Sequence, residues 1–174
     1  MLLKSEFFVG DVLKIAPELL GKVLVKRDGA TDIRMVINEV EAYDGESDKA
    51  CHASRGRTPR TEVMYGPAGH WYVYLVYGMH YMLNIVTGEI GYPSAVLIRG
   101  TFEVSGPGRL SKALGVDMSF NSKESSGTTG LWIEDGYNIS SSCKVEATER
   151  VGVDYADEWA KKPYRFLLKD HLVS

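Results

Sequence analysis

Two carboxylates and an aromatic ring alternate in the segment Glu39-Val40-Glu41-Ala42-Tyr43. Successive side chains of a β-strand point to opposite faces, so Glu39, Glu41 and Tyr43 share one face. A carboxylate on such a surface can accept a proton from water, which is the task of a general base. The alternative is a solvent-exposed strand face without a function, which would use the same residue types. The segments that follow help to decide between the two interpretations.

A basic segment comes next, from residue 49 to residue 60. It contains four positive side chains and no Asp or Glu, a formal charge of +4 (Lys49, Arg55, Arg57, Arg60). It also contains His52, which can donate or accept a hydrogen bond near neutral pH. The whole chain has a formal net charge of -3 and a pI near 5.8, so any contact with nucleic acid must be local. The alternative is a solvated surface loop.

Aromatic residues are concentrated between residues 72 and 81. Packing in a core strand accounts for most of them. Tyr77 differs, because Gly78 beside it marks a hairpin tip where a large ring points outward. An exposed ring on a rigid hairpin can enter a stack of bases. Tyr43 and Tyr74 offer two further ring faces, between which a base could stack.

The elements that must position these residues form a mixed, mainly antiparallel α+β domain. Amphipathic spacing predicts a short helix over residues 12–20, ended by Gly21, and a second helix after Gly106-Pro107-Gly108. Strands are predicted at 22–26, 33–43, 71–77, 80–86, 95–99, 131–134 and 164–168. Residues 119–130, rich in Ser, Thr, Asn and Gly, are predicted to form a flexible loop. Strands outnumber helices without regular βαβ alternation, which favours the α+β class.

The composition, 44% hydrophobic and 25% charged, fits one domain over residues 1–174. The first residues lack the long apolar segment of a secretory signal, which predicts a cytoplasmic protein, associated with the nucleoid in a prokaryote. Cys51 and Cys143 form no Cys-x-x-Cys pattern, so neither a disulfide framework nor a metal site is expected. The uncharged residues 71–87 contain several tyrosines, Gly78 and Asn84, which suit paired strands better than a membrane span.

The motifs resemble one known family along nearly the whole chain. They comprise Glu41-Ala42-Tyr43, His52, Thr58-Pro59-Arg60, Tyr72-Val73-Tyr74, Tyr77-Gly78-Met79, Asn84, Arg99, Gly106-Pro107-Gly108, Gly152-Val153, Glu158-Trp159-Ala160 and Lys162-Pro163. In this order they resemble the alkyladenine (3-methyladenine) DNA glycosylases. The resemblance implies a single domain with a curved, mainly antiparallel sheet flanked by helices, and no metal or cofactor. It also implies a hairpin tyrosine that intercalates and replaces a flipped nucleotide.

The resemblance implies a catalytic group of three residues. Glu41 would be the general base for an attacking water, which Arg99 and the backbone carbonyl of Val151 would help to hold. The enzyme would flip alkylated or deaminated purines out of duplex DNA, hydrolyse the N-glycosidic bond and leave an abasic site, as a monofunctional glycosylase of base excision repair. Such chemistry needs a positioned water and one carboxylate, because an alkylated purine carries positive charge and leaves readily.

The resemblance also implies how the flipped base would be held. Tyr43 and Tyr74 would stack on it, which suits a positively charged purine. His52 would hydrogen-bond at its edge, and Asn84 would crowd the exocyclic amino group of normal guanine. Damaged bases pair weakly, so flipping them costs less, and this adds selectivity.

Contacts with double-stranded DNA outside the pocket would come from the hairpin and the basic segment. The implied residues are Tyr77 as the wedge, Met79 beside it, and Arg57 and Arg60 at phosphates. The sequence departs from the family at the short connection 100–105, where many members have a longer arginine-rich segment, at His80, and at Ala68-Gly69. These departures bear on affinity and substrate range more than on reaction type. A monomer is expected, with no membrane contact.

Two other classes of function remain open from the sequence. A non-catalytic module that binds damaged DNA or RNA would keep the wedge and the pocket. It would not require Glu41 and Arg99 together, because binding alone does not need a buried carboxylate beside a water. A nucleoside hydrolase acting on small molecules would have no use for Tyr77 or the basic segment.

Overall fold

The computed structural model describes residues 1–136 and 144–169; Cys143 lies outside these ranges. In these ranges the α-helices are α1 (Val12–Glu18) and α2 (Pro107–Ala113). The strands are β1 (Val23–Asp28), β2 (Thr31–Asp44), β3 (Trp71–Val76), β4 (His80–Val86), β5 (Ser94–Thr101), β6 (Leu131–Glu134), β7 (Val145–Thr148) and β8 (Arg165–Leu168). Short 3-10 helices occupy Ser5–Phe8, His52–Arg55, Glu62–Tyr65, Met118–Phe120 and Asp154–Lys161.

All strands belong to one curled antiparallel sheet. The order along its main path is β3-β4-β5-β2-β1-β6, while β8 pairs with both β2 and β7. Every strand pair is antiparallel, as expected for strands joined by hairpins and loops rather than helical crossovers. The predicted α+β class with a curved antiparallel sheet is therefore confirmed.

The long strand β2 curls the sheet because it changes partner along its length. Its first half pairs with β1, from Thr31 opposite Asp28 to Val36 opposite Val23. Its second half pairs with β5 on one edge and β8 on the other. The ladder to β5 is irregular between Ile37 and Val40, and such bulges bend a strand and redirect its side chains. Glu41 follows this bend directly.

The core lies between the sheet and the two helices. The Asp11 side chain caps α1 by accepting the Leu13 N–H at 2.9 Å, and Ile15 and Ala16 on this helix are buried. Helix α2 packs against β4 and β5. The largest fully buried side chains include Phe8, Leu19, Leu24, Ile37, Trp71, Leu83, Ile85, Ile98, Leu110 and Leu131.

Most predicted elements are present, with bounds within two residues of those expected, and the differences at α1, β7 and the loop 119–130 are the most informative. Helix α1 ends two residues earlier than expected, and β7 was not predicted. Residues 119–130 do form a loop, but it is hydrogen-bonded along β3: the Trp71 N–H donates to Lys123 O at 2.8 Å and the Val73 N–H to Asn121 Oδ1 at 2.9 Å. The helices within the described ranges are all too short or too polar to cross a membrane.

Candidate active site

A cavity of about 440 Å³ opens where β2, β3, β4 and β5 meet the loops that carry His52 and Val151. It brings together nine of the residues singled out from the sequence: Glu41, Tyr43, His52, Arg60, Tyr74, Tyr77, Asn84, Arg99 and Val151. Met79 and Arg57 lie outside its wall. This volume is in the range of small-molecule pockets, and aromatic rings line it together with one buried carboxylate.

Glu41 is completely buried and fixed at both oxygens. Its Oε1 accepts the backbone N–H of Val151 at 2.7 Å, and its Oε2 accepts the Tyr43 hydroxyl at 2.7 Å. Arg99 Nη1 lies 3.5 Å from Oε1 and supplies the positive charge that a buried carboxylate needs. An ionised carboxylate has about four lone-pair sites, so Glu41 keeps capacity to accept a proton from a water in the cavity.

Glu39 has a different task from Glu41 although the two share a strand face. Its Oε1 accepts from Arg99 Nε at 2.9 Å and from Arg165 Nε at 2.8 Å. Arg99 is thus held between the two glutamates, whose common strand face was predicted from the alternation. The sequence did not point to Arg165, whose place opposite Glu41 depends on the pairing of β8 with β2.

Two tyrosines of the cavity stay protonated. Burial, followed by the nearby charge of Glu41, raises the pKa of Tyr43 well above its usual value. Burial likewise raises the pKa of Tyr74. Tyr43 therefore donates its hydroxyl proton to Glu41, and both residues present neutral, electron-rich rings.

His52 is held as a neutral imidazole. Burial, and then the charges of Arg60 and Arg55, lower its pKa to about 4. Its Nδ1 lies 2.9 Å from the Tyr72 hydroxyl, and its ring meets the Tyr74 ring edge-on at 4.6 Å between centroids. At neutral pH one ring nitrogen is a donor and the other an acceptor, which suits recognition of a base edge rather than proton shuttling.

Asn84 forms a fixed part of the cavity wall. Its amide nitrogen donates to Tyr72 O at 3.0 Å and is 3.4 Å from Met82 O, and the residue is 2% exposed. Within residues 1–136 and 144–169, no three His, Cys, Asp or Glu side chains are grouped so that they could hold a metal ion.

The β3–β4 hairpin presents an exposed aromatic ring beside the cavity. Tyr77 is 90% exposed and Met79 is 68% exposed. The Met79 N–H donates to Val76 O at 3.2 Å, and Tyr77 and Gly78 have φ values of 53° and 68°. Positive φ at both central residues is typical of a type I′ hairpin turn, in which glycine is common and tyrosine is not. A strained exposed tyrosine points to a function outside folding.

The basic segment carries less free charge than its sequence suggests. Arg57 makes a bidentate ion pair with Glu62, at 2.7 and 2.6 Å, and Lys49 pairs with Asp157 at 2.9 Å. Arg60 lies over the Tyr74 ring, 5.0 Å from its centroid. The net charge around the segment is therefore less positive than the formal +4 of its sequence.

Comparison with known proteins identifies the family. The sequence model of the methylpurine-DNA glycosylases matches residues 6–105 and 103–172. The chain belongs to this family. A relative from Methanocella arvoryzae is 41% identical over 97% of this chain and 92% of its own length; one from Legionella pneumophila strain Corby is 43% identical over 97% and 95%. A third, from Myxococcus xanthus, is 44% identical over 97% and 90%, and all three carry the name 3-methyladenine DNA glycosylase.

Family membership confirms the resemblance found in the sequence and places this glycosylase in base excision repair of DNA. The two matched segments meet at residues 103–105, inside the short connection after Arg99. The structure closes that connection tightly: the Thr101 N–H donates to Val104 O at 2.9 Å, and Gly100 bridges Ser105.

The sequence missed a buried ion pair next to the cavity, between Asp48 and Arg150. The two residues are 102 positions apart, so no local pattern could have joined them. Arg150 directly precedes Val151, whose N–H contacts Glu41.

Proposed function

We propose that this glycosylase flips an alkylated or deaminated purine into the cavity and hydrolyses its N-glycosidic bond with a water activated by Glu41. The observation that carries the proposal is the fully buried carboxylate of Glu41 in a cavity wall of aromatic rings. Its contacts with Val151, Tyr43 and Arg99 give it a fixed direction. A binding module would have no need to bury and orient a carboxylate in this way.

The reaction proceeds by displacement at the anomeric carbon. The water gives a proton to Glu41 and its oxygen bonds to C1′, while the bond from C1′ to the purine nitrogen breaks and its electron pair leaves with the base. An alkylated purine is positively charged and departs as a neutral molecule, whereas a deaminated purine is neutral and takes up one proton from solvent as it departs. The Glu41 carboxylate also stabilises the positive charge that develops on the sugar. Arg99 and the Val151 carbonyl hold the water.

The remaining cavity residues recognise the base. Tyr43 and Tyr74 stack on the purine, and a cationic purine stacks well on electron-rich rings. His52 hydrogen-bonds at the base edge, and Asn84 opposes the exocyclic amino group of guanine. Their positions in one cavity wall support these roles.

Double-stranded DNA is the proposed substrate because of the hairpin. Tyr77 fills the space left by the flipped nucleotide, with Met79 beside it, and Arg57 and Arg60 contact phosphates. A nucleoside hydrolase acting on small molecules would gain nothing from an exposed ring held at positive φ. The hairpin therefore favours duplex DNA over free nucleosides.

The direct test incubates the protein with DNA methylated by dimethyl sulfate and identifies the released bases by chromatography. We expect release of methylated purines and retention of normal guanine. Glu41→Gln should release almost none, and Arg34→Lys, on the part of β2 that pairs with β1, serves as the matched control. Absence of base release by the wild type would refute the proposed activity.

We further propose that water, and not an amine, attacks the sugar. No lysine is among the residues that line the cavity in the described ranges. Schiff-base chemistry requires a desolvated lysine at the reacting carbon. Borohydride added during turnover should therefore trap no covalent protein–DNA adduct. A trapped adduct would mean a bifunctional enzyme that also cleaves the strand.

A further inference from the structure

A fully buried ion pair ties the loop after β2 to the segment before Val151. Arg150 Nη1 and Nη2 donate to the two carboxylate oxygens of Asp48 at 2.6 and 2.8 Å, and both side chains have no exposed surface. Asp48 also accepts the backbone N–H groups of Asp44 at 3.1 Å and Ala50 at 3.0 Å. The pair thus fixes two chain segments against each other.

The guanidinium of Arg150 also contacts the catalytic strand. It donates to the carbonyl of Ala42, the residue between Glu41 and Tyr43, at 2.8 Å, and to Trp159 O at 3.2 Å. Its central carbon lies 4.8 Å from the centroid of the Tyr43 ring. Tyr43 lines the cavity and Arg150 does not, so the cation supports this ring from outside the cavity.

The same pair sets a hydrogen bond to Glu41. Arg150 is the chain neighbour of Val151, whose N–H donates to Glu41 Oε1 at 2.7 Å. The Arg150 side chain, anchored at Asp48 and at the Ala42 carbonyl, holds the chain directly before this N–H, and its guanidinium packs against the Tyr43 ring. Two parts of the site therefore depend on one pair of side chains that touches neither the cavity nor the reacting atoms.

Stability is a poor explanation for this pair. Replacing a buried ion pair by apolar residues of similar volume is often neutral or stabilising, whereas removing one partner is strongly destabilising. Arg150 Nε also lacks a hydrogen-bond partner among the described residues, which adds a cost. Its other contacts instead converge on residues of the site, so geometry is the benefit that the pair provides.

We propose that Asp48 and Arg150 are positioning residues for base excision, acting through the Tyr43 ring and the Val151 N–H. This inference rests on the proposed function, because the positioned groups are those assigned to stacking and to water activation. A displacement of about 1 Å at such a site costs on the order of 100-fold in rate. The pair matters for rate because it prevents such displacements.

The first test is Arg150→Lys, which keeps the charge but loses the bidentate fork and the planar contact with Tyr43. The readout is the single-turnover rate of 3-methyladenine release from dimethyl-sulfate-treated DNA at saturating enzyme. We expect a loss of about 10- to 100-fold with cooperative thermal unfolding retained. Arg34→Lys, at an ion pair with Glu134 away from the cavity, should leave the rate unchanged.

A double-mutant cycle distinguishes positioning from general support of the fold. If Arg150 acts largely through Tyr43, Arg150→Lys should cost less than about threefold in a Tyr43→Leu background, because the group that it positions is already gone. A merely structural role predicts the same fold-loss in both backgrounds. Equal losses would overturn the assignment of Arg150 to positioning of the Tyr43 ring.

A second variant covers the case in which Arg150→Lys does not fold. Asp48→Leu combined with Arg150→Met removes both charges together and avoids an unpaired buried ion. A folded but slow double variant supports positioning, and a wild-type rate overturns it. Failure of both variants to fold would assign the pair to stability and also overturn it. Absence of base release by the wild type would instead refute the proposed function itself.

Discussion

The substitution Glu41→Gln tests the proposed general base separately from lesion binding, because glutamine keeps the size and polarity of glutamate but cannot accept a proton from water. We expect Glu41→Gln to bind duplex DNA containing one damaged purine with nearly wild-type affinity in gel-shift titrations. Single-turnover excision should fall by about 10²- to 10⁴-fold, the usual cost of losing a general base. Excision at the wild-type rate would show that Glu41 is not the base.

Glu39→Gln is the matched comparison on the same strand face. Glu39 accepts hydrogen bonds from Arg99 and Arg165, so we expect it to act on the site by holding Arg99 against Glu41. Glutamine keeps one oxygen acceptor, and we expect a smaller rate loss than for Glu41→Gln, below about 10-fold. If Glu39→Gln lowers the excision rate more than Glu41→Gln does, Glu39 rather than Glu41 is the general base.

His52 gives the protein a pH-dependent stability. Its pKa is about 4 in the folded chain and near 6.5 when unfolded, so between these values only the unfolded chain takes up the proton. The free energy of unfolding should therefore decrease as pH falls from 6.5 to 4, by at most about 1.4 kcal/mol per pH unit, and show no contribution above 6.5. His52→Gln should remove this slope in denaturant titrations, while His80→Gln at the exposed hairpin should not. Equal slopes in wild type and His52→Gln would contradict the burial argument.

The site residues could be predicted unevenly from the sequence. Strand alternation alone placed Glu39, Glu41 and Tyr43 on one face, and the family resemblance added partners from distant segments. The ion pair between Asp48 and Arg150 was not predicted, because it is a tertiary contact between two loops. The periodicity of a sequence does not indicate which loops contact each other.

In the β3–β4 hairpin, the tyrosine proposed to contact DNA has a positive φ that destabilises the fold. Positive φ costs a non-glycine residue roughly 1–2 kcal/mol, and asparagine tolerates it better than tyrosine. We expect Tyr77→Asn to raise the free energy of unfolding by about 1 kcal/mol and to lower lesion affinity by about 1–3 kcal/mol, the value of one stacked ring.

Tyr77→Ser is the control for this prediction. Serine also removes the ring, so affinity and lesion selectivity should fall as for Tyr77→Asn, but it relieves less backbone strain. Thermal unfolding and gel-shift titrations on the same preparations measure both quantities. Unchanged affinity in both variants would remove Tyr77 from the DNA interface.

Elements with strong periodicity were predictable, and those defined by tertiary pairing were not. Strands β3 and β4 match the expected segments closely, since Gly78 marks their turn. Strand β7 has only four residues, all at least partly exposed, and exists by pairing with β8. Helix α1 ends at Glu18, and Leu19 and Leu20 form a turn in which both side chains are buried in the core. Gly21 completes this turn with a φ of 80°.

The net charge of the whole molecule affects how strongly it binds DNA. The formal charge of -3 repels the phosphate backbone, so attraction must come from the face around the cavity and hairpin. Arg60 lies in the cavity wall and Arg57 beside it is engaged by Glu62. Binding should thus be modest and salt-sensitive.

Each contact between a basic side chain and a phosphate makes the dependence of affinity on salt concentration steeper. Arg57→Ala and Arg60→Ala should each reduce the slope of log affinity against log salt concentration by about one. Glu62→Gln frees Arg57 and removes a negative charge, so it should raise affinity at low salt and provide a control of opposite sign. These slopes are measured by titrating one damaged duplex at several salt concentrations. If both arginine variants keep the wild-type slope, the basic segment does not contact phosphates, and the DNA interface of this glycosylase must be built from the hairpin and other residues around the cavity.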